Sequence, residues 1–151
     1  MSPPRRLRWG PHAHEAAEQV VLRDPQYVCS ILSDHPGGVL ATIFRELILA
    51  FDAQPLTCRC ARCGRRADGV CAYLNSVVLV GYCELCVRLS PHTRPEPAMR
   101  VSDYEAALRH VATSFQRGHR IQMRRIVGAL VEAKGGPTRL TEAAARSFLA
   151  A

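Results

Sequence analysis

The longest regular pattern of apolar positions in the chain lies between residues 39 and 51. Apolar side chains recur there at spacings of three and four, as on one face of an amphipathic helix. They are Val39, Leu40, Ile43, Phe44, Leu47, Ile48 and Phe51. Because Asp52 and Pro55 follow, the pattern predicts a helix that ends just after Phe51.

A shorter helix is predicted upstream of this one. Asp24 can cap its first turn, and Pro25 has the backbone angle that a first helical residue needs. The apolar face that follows consists of Tyr27, Val28, Ile31 and Leu32. The helix stops near residues 35–38, where a His-Pro-Gly-Gly sequence interrupts the pattern. The Pro- and Arg-rich residues 1–8 are predicted to be frayed, with a helical region after them.

The middle of the chain changes from a helical to a strand pattern. Residues 70–74 and 77–82 are β-prone, and Asn75-Ser76 between them suits a tight turn. This pattern predicts a β-hairpin. After Cys86 comes a linker that should not be helical. Its prolines are Pro91, Pro95 and Pro97.

Three further helices are predicted toward the C-terminus. Ser102 and Glu105 form the Ser-x-x-Glu pattern of a capping box, which opens a helix to about Phe115. The second helix spans roughly residues 119–133 and ends at a Gly-Gly-Pro sequence. The third begins near Thr141. It includes Ala143, Ala144, Phe148 and Leu149.

Two Cys-x-x-Cys pairs flank the predicted hairpin. They are Cys60 and Cys63, then Cys83 and Cys86. The spacing is typical of a four-thiolate zinc site, because each pair lies on a tight turn and the hairpin brings the two turns together. Gly64, directly after the first pair, relieves that turn. Thiolates in a tetrahedral arrangement favour Zn²⁺, with an iron–sulfur cluster as the alternative. Four thiolates leave no open coordination position, so this zinc is expected to be structural.

Three other cysteines bear on the ligand set. Cys58 is close enough to the first pair to replace Cys60 as a ligand. Cys71 lies in the first predicted strand, where packing is favoured over metal binding, although it stays an alternative ligand. Cys29 lies on the apolar face of an early helix and is expected in the core.

These elements predict an α+β fold with three parts. Residues 7–54 form a helical N-terminal module, residues 56–90 a zinc ribbon, and residues 100–151 a C-terminal three-helix segment. We expect the N-terminal helices to form one core and the ribbon a second, with the C-terminal helices packed across both. A unit of about 30 residues needs a staple such as a metal ion in order to fold.

The N-terminal sequence also bears on the cellular compartment. Its start, Met-Ser-Pro-Pro-Arg-Arg, has no apolar region of a signal peptide. No run approaches the ~20 apolar residues that span a bilayer. A reducing compartment is therefore expected, where clustered cysteines bind metal more often than they bind each other. We expect a cytoplasmic protein without a membrane partner.

The formal charge is +7 and the pI about 9.4, a surplus that favours polyanionic partners. One arginine cluster surrounds the first cysteine pair and another lies on a predicted helix. They are Arg59, Arg62, Arg65 and Arg66, then Arg117, Arg120, Arg124 and Arg125. Spacings of three and four place Arg117, Arg120 and Arg124 on one helical face. Because arginine suits phosphate contacts, both clusters are candidate binding residues for DNA or RNA.

Candidate catalytic groups are few. His12 and His14, followed by Glu18, are expected in an exposed loop rather than at a metal ion. Asp103 and Glu105 superficially match the acidic pair of two-metal nucleases, but capping of a helix N-terminus accounts for them. There is no nucleophile elbow and no phosphate-binding glycine loop. No catalytic residue is assigned, and no small-molecule substrate is evident.

One series of residues in the N-terminal third resembles a known module. It comprises Arg8-Trp9-Gly10-Pro11-His12, Leu22-Arg23-Asp24-Pro25-Gln26-Tyr27-Val28 and Ile31-Leu32. Over roughly residues 7–50 the chain resembles the small C-terminal domain of exodeoxyribonuclease X-like proteins, with which it shares an Asp-Pro-x-Tyr core. The family's lysines fall at Pro11 and Ala13, its second glycine at His14, and its helix tryptophan at Cys29 or Ser30.

The resemblance implies an accessory domain without catalytic residues, associated with DNA metabolism. The whole chain is also similar to bacterial proteins in which such a module precedes a zinc ribbon. With the metal motif and the arginine clusters, we expect a non-enzymatic zinc-ribbon protein that binds DNA or RNA. The alternative is an adaptor in which the ribbon and the helix of residues 39–51 dock a protein. A third class is a metal-dependent nuclease that uses Asp103 and Glu105.

Overall fold

The structure, a computed structural model, describes residues 3–89 and 98–151. These two ranges contain seven α-helices and three β-strands, as expected for an α+β fold. The elements are α1 (Ala17–Arg23), α2 (Pro25–Asp34), α3 (Val39–Asp52), β1 (Gly69–Tyr73), β2 (Val80–Tyr82), α4 (Glu84–Leu89), β3 (Ala98–Arg100), α5 (Tyr104–Ser114), α6 (His119–Ala133) and α7 (Glu142–Ala150). Of the linker predicted after Cys86, residues 87–89 are helical, because α4 continues through them, so the prediction is wrong there. Its prolines, Pro91, Pro95 and Pro97, lie outside the described residues.

Helices α2 and α3 confirm the two predictions made from apolar spacing. The Asp24 side chain accepts a hydrogen bond from the Tyr27 amide at 3.4 Å, and Pro25 is the first residue of α2. The apolar face of α3 turns inward and buries Phe44 and Phe51. Most of the apolar pattern that predicted α3 is therefore used in the protein's own core.

The segment before α1 is ordered, so the prediction of fraying is wrong for residues 4–8. Leu7 is only 5% exposed and belongs to the core. Its amide donates to the Glu15 carbonyl at 2.9 Å, and its own carbonyl accepts from the His14 amide at 2.8 Å. Burial of one apolar residue anchors this polar, Pro-rich segment.

The sheet is antiparallel throughout, with the order β2-β1-β3. Gly69 pairs with Tyr82 across β1 and β2, and Cys71 pairs with Arg100 across β1 and β3. Strand β3 was not predicted. At three residues it is too short to show a periodic pattern.

The loop of the β1–β2 hairpin is longer than the predicted Asn75-Ser76 turn and runs from residue 74 to residue 79. The side chains of Val77 and Leu79 pack against the helical core, which removes them from the ladder. The Ser76 carbonyl is also held by His110 Nε2 of α5 at 2.7 Å. Tertiary contacts therefore shorten the predicted second strand.

Helix α5 is capped one residue later than predicted. Asp103 Oδ1, rather than the Ser102 hydroxyl, accepts from the Ala106 amide at 2.7 Å. Glu105 does not close a capping box but pairs with Arg109 at 2.8 Å. The Tyr104 amide donates to Asp52 Oδ1 at 2.8 Å, so the C-terminus of α3 fixes where α5 begins.

One cluster of buried side chains joins all three predicted parts. Tyr104 lies within it, 1% exposed, and its hydroxyl donates to the Val21 carbonyl at 2.7 Å. Val70 and Ala72 of β1 belong to the same cluster. The expectation of a separate core for the ribbon is therefore wrong: alternate residues of β1 pack against the helices.

The cysteine-bearing segment is tied to the end of α6. The amides of Thr57 and Cys58 both donate to the Ala133 carbonyl, at 2.8 and 3.2 Å. Buried Lys134 donates to the carbonyls of Gln54 and Asp52, at 2.6 and 3.3 Å. Across the described residues, every helix falls short of the length and apolar character that crossing a bilayer requires.

Candidate metal centre and basic surface

Four cysteine sulfurs converge beside the sheet. The Sγ atoms of Cys60, Cys63, Cys83 and Cys86 all lie within 4.8 Å of one another. The Cys63 and Cys83 sulfurs are 3.6 Å apart. Tetrahedral Zn²⁺ with bonds of about 2.3 Å separates its sulfur ligands by about 3.8 Å. The cluster therefore has a size and donor chemistry compatible with a zinc-binding site.

The first cysteine pair lies on a tight knuckle. The Gly64 amide donates to the Cys60 carbonyl at 3.0 Å, and the Cys60 amide donates to the Arg65 carbonyl at 2.7 Å. Gly64 has φ of +73°, a left-handed conformation that costs glycine little. The expectation that Gly64 relieves this turn is confirmed.

The second pair lies at the start of a helix, not on a second knuckle in a β-ribbon as predicted. Cys83 immediately precedes α4 and Cys86 lies in its first turn. The Val87 amide donates to the Cys83 carbonyl at 3.1 Å, and the Glu84 amide donates to Asp68 Oδ2 at 2.8 Å. Because residues three apart share a helical face, this turn aims both sulfurs at the first pair.

Two glycines allow the metal module, the segment of residues 58–88 that carries the four cysteines, to close. The Ala61 amide donates to the Gly81 carbonyl at 2.9 Å, and a Cβ at Gly81 would lie 2.3 Å from the Arg59 carbonyl oxygen. A Cβ at Gly69 would lie 2.4 Å from the Tyr82 hydroxyl, because the ring of Tyr82 covers Gly69. The knuckle can approach β2 only because residue 81 lacks a side chain.

Cys60 and Cys86 differ in their readiness to ionise. Amide groups of Cys63 and Arg62 donate to the Cys60 sulfur and lower the pKa of Cys60 to about 6. A hydrogen bond with Cys83, aided by burial and the other cysteines, raises the pKa of Cys86 to about 12. Four adjacent sulfurs repel one another as thiolates. A cation bound between the sulfurs would offset this repulsion.

The other cysteines lie outside the four-sulfur cluster. Cys58 packs against the helical core, and burial raises the pKa of its thiol. Cys71 is buried in β1, where its thiol donates to the Val80 carbonyl at 3.6 Å. Cys29 packs at the edge of the core, as expected. The structure thus groups the four cysteines of the two pairs without Cys58 or Cys71.

All four arginines of the knuckle cluster are exposed. Arg59 Nη1 donates to the Gly64 carbonyl at 3.0 Å, and Arg66 Nε donates to the Leu56 carbonyl at 3.0 Å. In residues 3–89 and 98–151, neither Arg62 nor Arg65 forms a side-chain hydrogen bond or ion pair. Two of the four guanidinium groups therefore help to hold the knuckle.

The second cluster is divided by the start of α6. Gly118 adopts a left-handed conformation and α6 begins at His119, so Arg117 lies before the helix. The prediction that Arg117 shares a helical face with Arg120 and Arg124 is wrong for Arg117. Arg120 pairs with the Asp24 carboxylate. Arg124 and Arg125 are exposed, with no ion pair to another described residue.

Asp24 connects α6 to the N-terminal loop. It pairs with Arg120, and its Oδ2 lies 2.8 Å from His12 Nε2. Burial would raise the pKa of Asp24, but the hydrogen bonds from Arg120 and His12 outweigh it, and the pKa is lowered. The His12 side chain is only 16% exposed, so the prediction of an exposed loop histidine is wrong. His14 is exposed, as predicted.

The residues that carry the family resemblance meet around this carboxylate. The rings of His12 and Tyr27 lie 4.9 Å apart in an edge-to-face arrangement. Gly10 has φ of +82°, and a Cβ there would lie 3.2 Å from the Tyr27 hydroxyl. One packed unit therefore consists of Gly10, His12, Asp24 and Tyr27. The sequence did not reveal it because its members lie far apart along the chain.

The acidic residues of the nuclease hypothesis and the ring of Tyr82 have structural contacts. Asp103 caps α5 and Glu105 pairs with Arg109. Within the described ranges, the only group of three or more His, Cys, Asp or Glu side chains placed to hold a metal ion is the four-cysteine cluster. Tyr82 is buried with Arg100 over its ring at 5.2 Å, which leaves it no free face for a base.

The chain matches no family model, no curated protein and no solved structure. The resemblance to the exodeoxyribonuclease X-like domain therefore stays a prediction. It depends on the sequence pattern and on nothing in these comparisons.

Proposed function

We propose that this chain is a non-enzymatic zinc protein that binds DNA or RNA through exposed arginines. The convergence of four cysteine sulfurs within 4.8 Å is the observation that carries the metal part of the proposal. Four thiolates favour Zn²⁺ and complete its tetrahedral coordination, which leaves no position for water or substrate. The zinc therefore has a structural role, connecting the knuckle to α4.

Some of the knuckle arginines balance the negative charge of the metal centre. Zn²⁺ with four thiolates carries a formal charge of about −2, and Arg59 and Arg66 already contact backbone carbonyls beside it. Arg62 and Arg65 extend into solvent and are the members of this cluster best placed for phosphate contacts.

The arginines of α6 support nucleic-acid binding more directly. Arg120 and Arg124 lie four residues apart on one face of a 15-residue helix. Arg124 and Arg125 are exposed and have no carboxylate partner in the part of the chain that the structure describes. Guanidinium groups without a carboxylate partner on a rigid helix are suited to the phosphate backbone, and Arg124 and Arg125 are two such groups.

Binding of zinc-replete protein to single- and double-stranded DNA and RNA, followed by fluorescence anisotropy across a salt series, tests this proposal. We expect affinity to fall steeply as salt rises, because phosphate contacts release counterions. Arg124→Ala with Arg125→Ala should weaken binding to every sequence and reduce the slope of log affinity against log salt by about 2. The matched control replaces Arg45 and Arg139 by Ala, since both are exposed and the net charge changes equally.

Absence of binding to all four nucleic acids at low salt would contradict the proposal. Equal weakening by the control pair would show a general charge effect instead of an α6 interface. Adding Mg²⁺ to the same mixtures tests the nuclease alternative. Cleavage that disappears after Asp103→Asn and Glu105→Gln would contradict the non-enzymatic assignment.

A protein-binding role is the second candidate, and exposed apolar side chains around the metal module favour it. These side chains are Leu74, Val78, Leu85, Val87 and Met99. Helix α3, the expected docking helix, supports this role less because its apolar face is buried. An adaptor predicts association with a protein that is insensitive to salt and to the Arg124 and Arg125 replacements, but is weakened by Leu85→Ser with Val87→Ser.

A further inference from the structure

Trp9, the single tryptophan of the chain, projects into solvent. Its exposed fraction of 79% equals that of Val39 and exceeds that of the other exposed large apolar residues in the described ranges. It lies in the loop of residues 8–14, which leaves the core at Leu7 and returns at Glu15. Tryptophan is enriched at binding interfaces, because its ring is largely apolar and its N–H can form a hydrogen bond.

The loop that carries Trp9 is firmly held at its base. Leu7 exchanges backbone hydrogen bonds with His14 and Glu15, at 2.8 and 2.9 Å. Within the loop, the Ala13 amide donates to the Gly10 carbonyl at 3.1 Å. Gly10 lies closely against the Tyr27 hydroxyl. The backbone on either side of Trp9 is therefore held in place, which lowers the entropic cost of ordering the loop on binding.

The Asp24 carboxylate brings this loop beside the arginines of α6. It contacts His12 from the loop and Arg120 from the helix. Trp9 is three residues from His12, so at most about 10 Å of extended chain separates them. Arg8 is also exposed and forms no ion pair within residues 3–89 and 98–151.

Two carboxylates, Asp24 and Glu15, lie beside His12 at this surface. Asp24 is shared by Arg120 and His12. Glu15 Oε2 lies 3.3 Å from His12 Nδ1. Arg8 and Arg124 are exposed and have no ion pair within the described ranges; Arg8 precedes Trp9 in the loop, and Arg124 lies one helical turn beyond Arg120. Positive charge beside an exposed aromatic ring is the combination that binds single-stranded nucleic acid.

We propose that Trp9 stacks on an unpaired base of a nucleic-acid strand whose phosphates contact Arg8 and the arginines of α6. This inference rests on the proposed function and adds to it the class of nucleic acid that is bound: single strands or single-stranded loops. Duplexes, whose bases are already stacked, bind through the arginines alone and hence more weakly.

The intrinsic fluorescence of Trp9 provides a direct test, because no other tryptophan contributes. Titration with single-stranded oligonucleotides should quench its emission as anisotropy reports binding. Trp9→Ala should weaken single-strand binding roughly 5- to 150-fold, while Trp9→Phe should retain most of the affinity. Leu49→Ala removes another exposed apolar side chain, 70% exposed on α3, and should change neither signal. Unchanged thermal unfolding of Trp9→Ala would confirm that the loss is local.

The outcomes separate this inference from the proposed function. Salt-dependent binding without quenching, and with full affinity in Trp9→Ala, would overturn the role of Trp9 and leave the arginine interface standing. No nucleic-acid binding at low salt would overturn both. A blue shift with anionic lipid vesicles, without quenching by oligonucleotides, would also overturn the inference by assigning Trp9 to a membrane surface.

Discussion

At the scale of single residues, close backbone approach determines which positions around the candidate metal centre tolerate no side chain. The cysteine pairs are evident from their spacing alone, because ligands three residues apart converge through local turn geometry. Gly81 carries no such signal. Its importance arises from the Arg59 carbonyl, which approaches it from the knuckle, and that approach exists only in the folded chain.

Gly81→Ala is expected to destabilise the metal module. The added Cβ would lie 2.3 Å from the Arg59 carbonyl oxygen, and relieving such an overlap typically costs about 1–3 kcal/mol. Urea unfolding and competition with a chromogenic chelator would show lower stability and weaker metal binding. Gly37→Ala is the control, because no atom lies within 4 Å of its Cβ position. Equal behaviour of the two variants would contradict the close packing of knuckle and strand.

At the scale of elements, the sequence predicts which helices form better than it predicts the residues at which they begin and end. The apolar spacing of α2 and α3 and the caps beside them are local, and both helices form as predicted. The start of α5 is different, since Asp52 binds the Tyr104 amide and selects Asp103 as the cap. The pair of Cys83 and Cys86 likewise lies at the start of a helix, because Asp68 accepts a hydrogen bond from the Glu84 amide. Neither partner is close in sequence.

Asp103→Ala is expected to lower the free energy of unfolding by about 1 kcal/mol, the usual effect of losing an N-cap. Ser102→Ala should change it by less than about 0.5 kcal/mol, because Ser102 is exposed and the cap belongs to its neighbour. Chemical denaturation of the two variants beside the wild type checks this. A larger effect at Ser102 would restore the capping box that the sequence suggested.

At the scale of the whole molecule, one core joins the metal module to the helices. Val70 and Ala72 of β1 pack in the same cluster as Tyr104, and the Ala133 carbonyl accepts from the amides of Thr57 and Cys58. The helices bury most of this cluster themselves. Loss of the metal should therefore release the knuckle and α4 without unfolding the helical part.

Cys83→Ala is expected to abolish stoichiometric zinc binding, whereas Cys71→Ala should retain it because Cys71 lies outside the sulfur cluster. After chelation of the wild type, hydrogen exchange should accelerate across residues 58–88 while α1, α3 and α6 stay protected. Elemental analysis and exchange mass spectrometry measure these effects. Purified protein without metal, or unchanged protection after chelation, would contradict the metal centre.

The sequence by itself determined the features that depend on neighbours along the chain: the cysteine spacing, Gly64 in its turn, and the helices α2 and α3. Such features follow from i, i+3 and i, i+4 geometry, which any segment carries with it. The tertiary structure alone decided that Asp24 holds both His12 and Arg120, which is 96 residues away, and that helices and sheet share one core. Contacts between distant residues leave no periodic trace in sequence, because they depend on how complete elements pack.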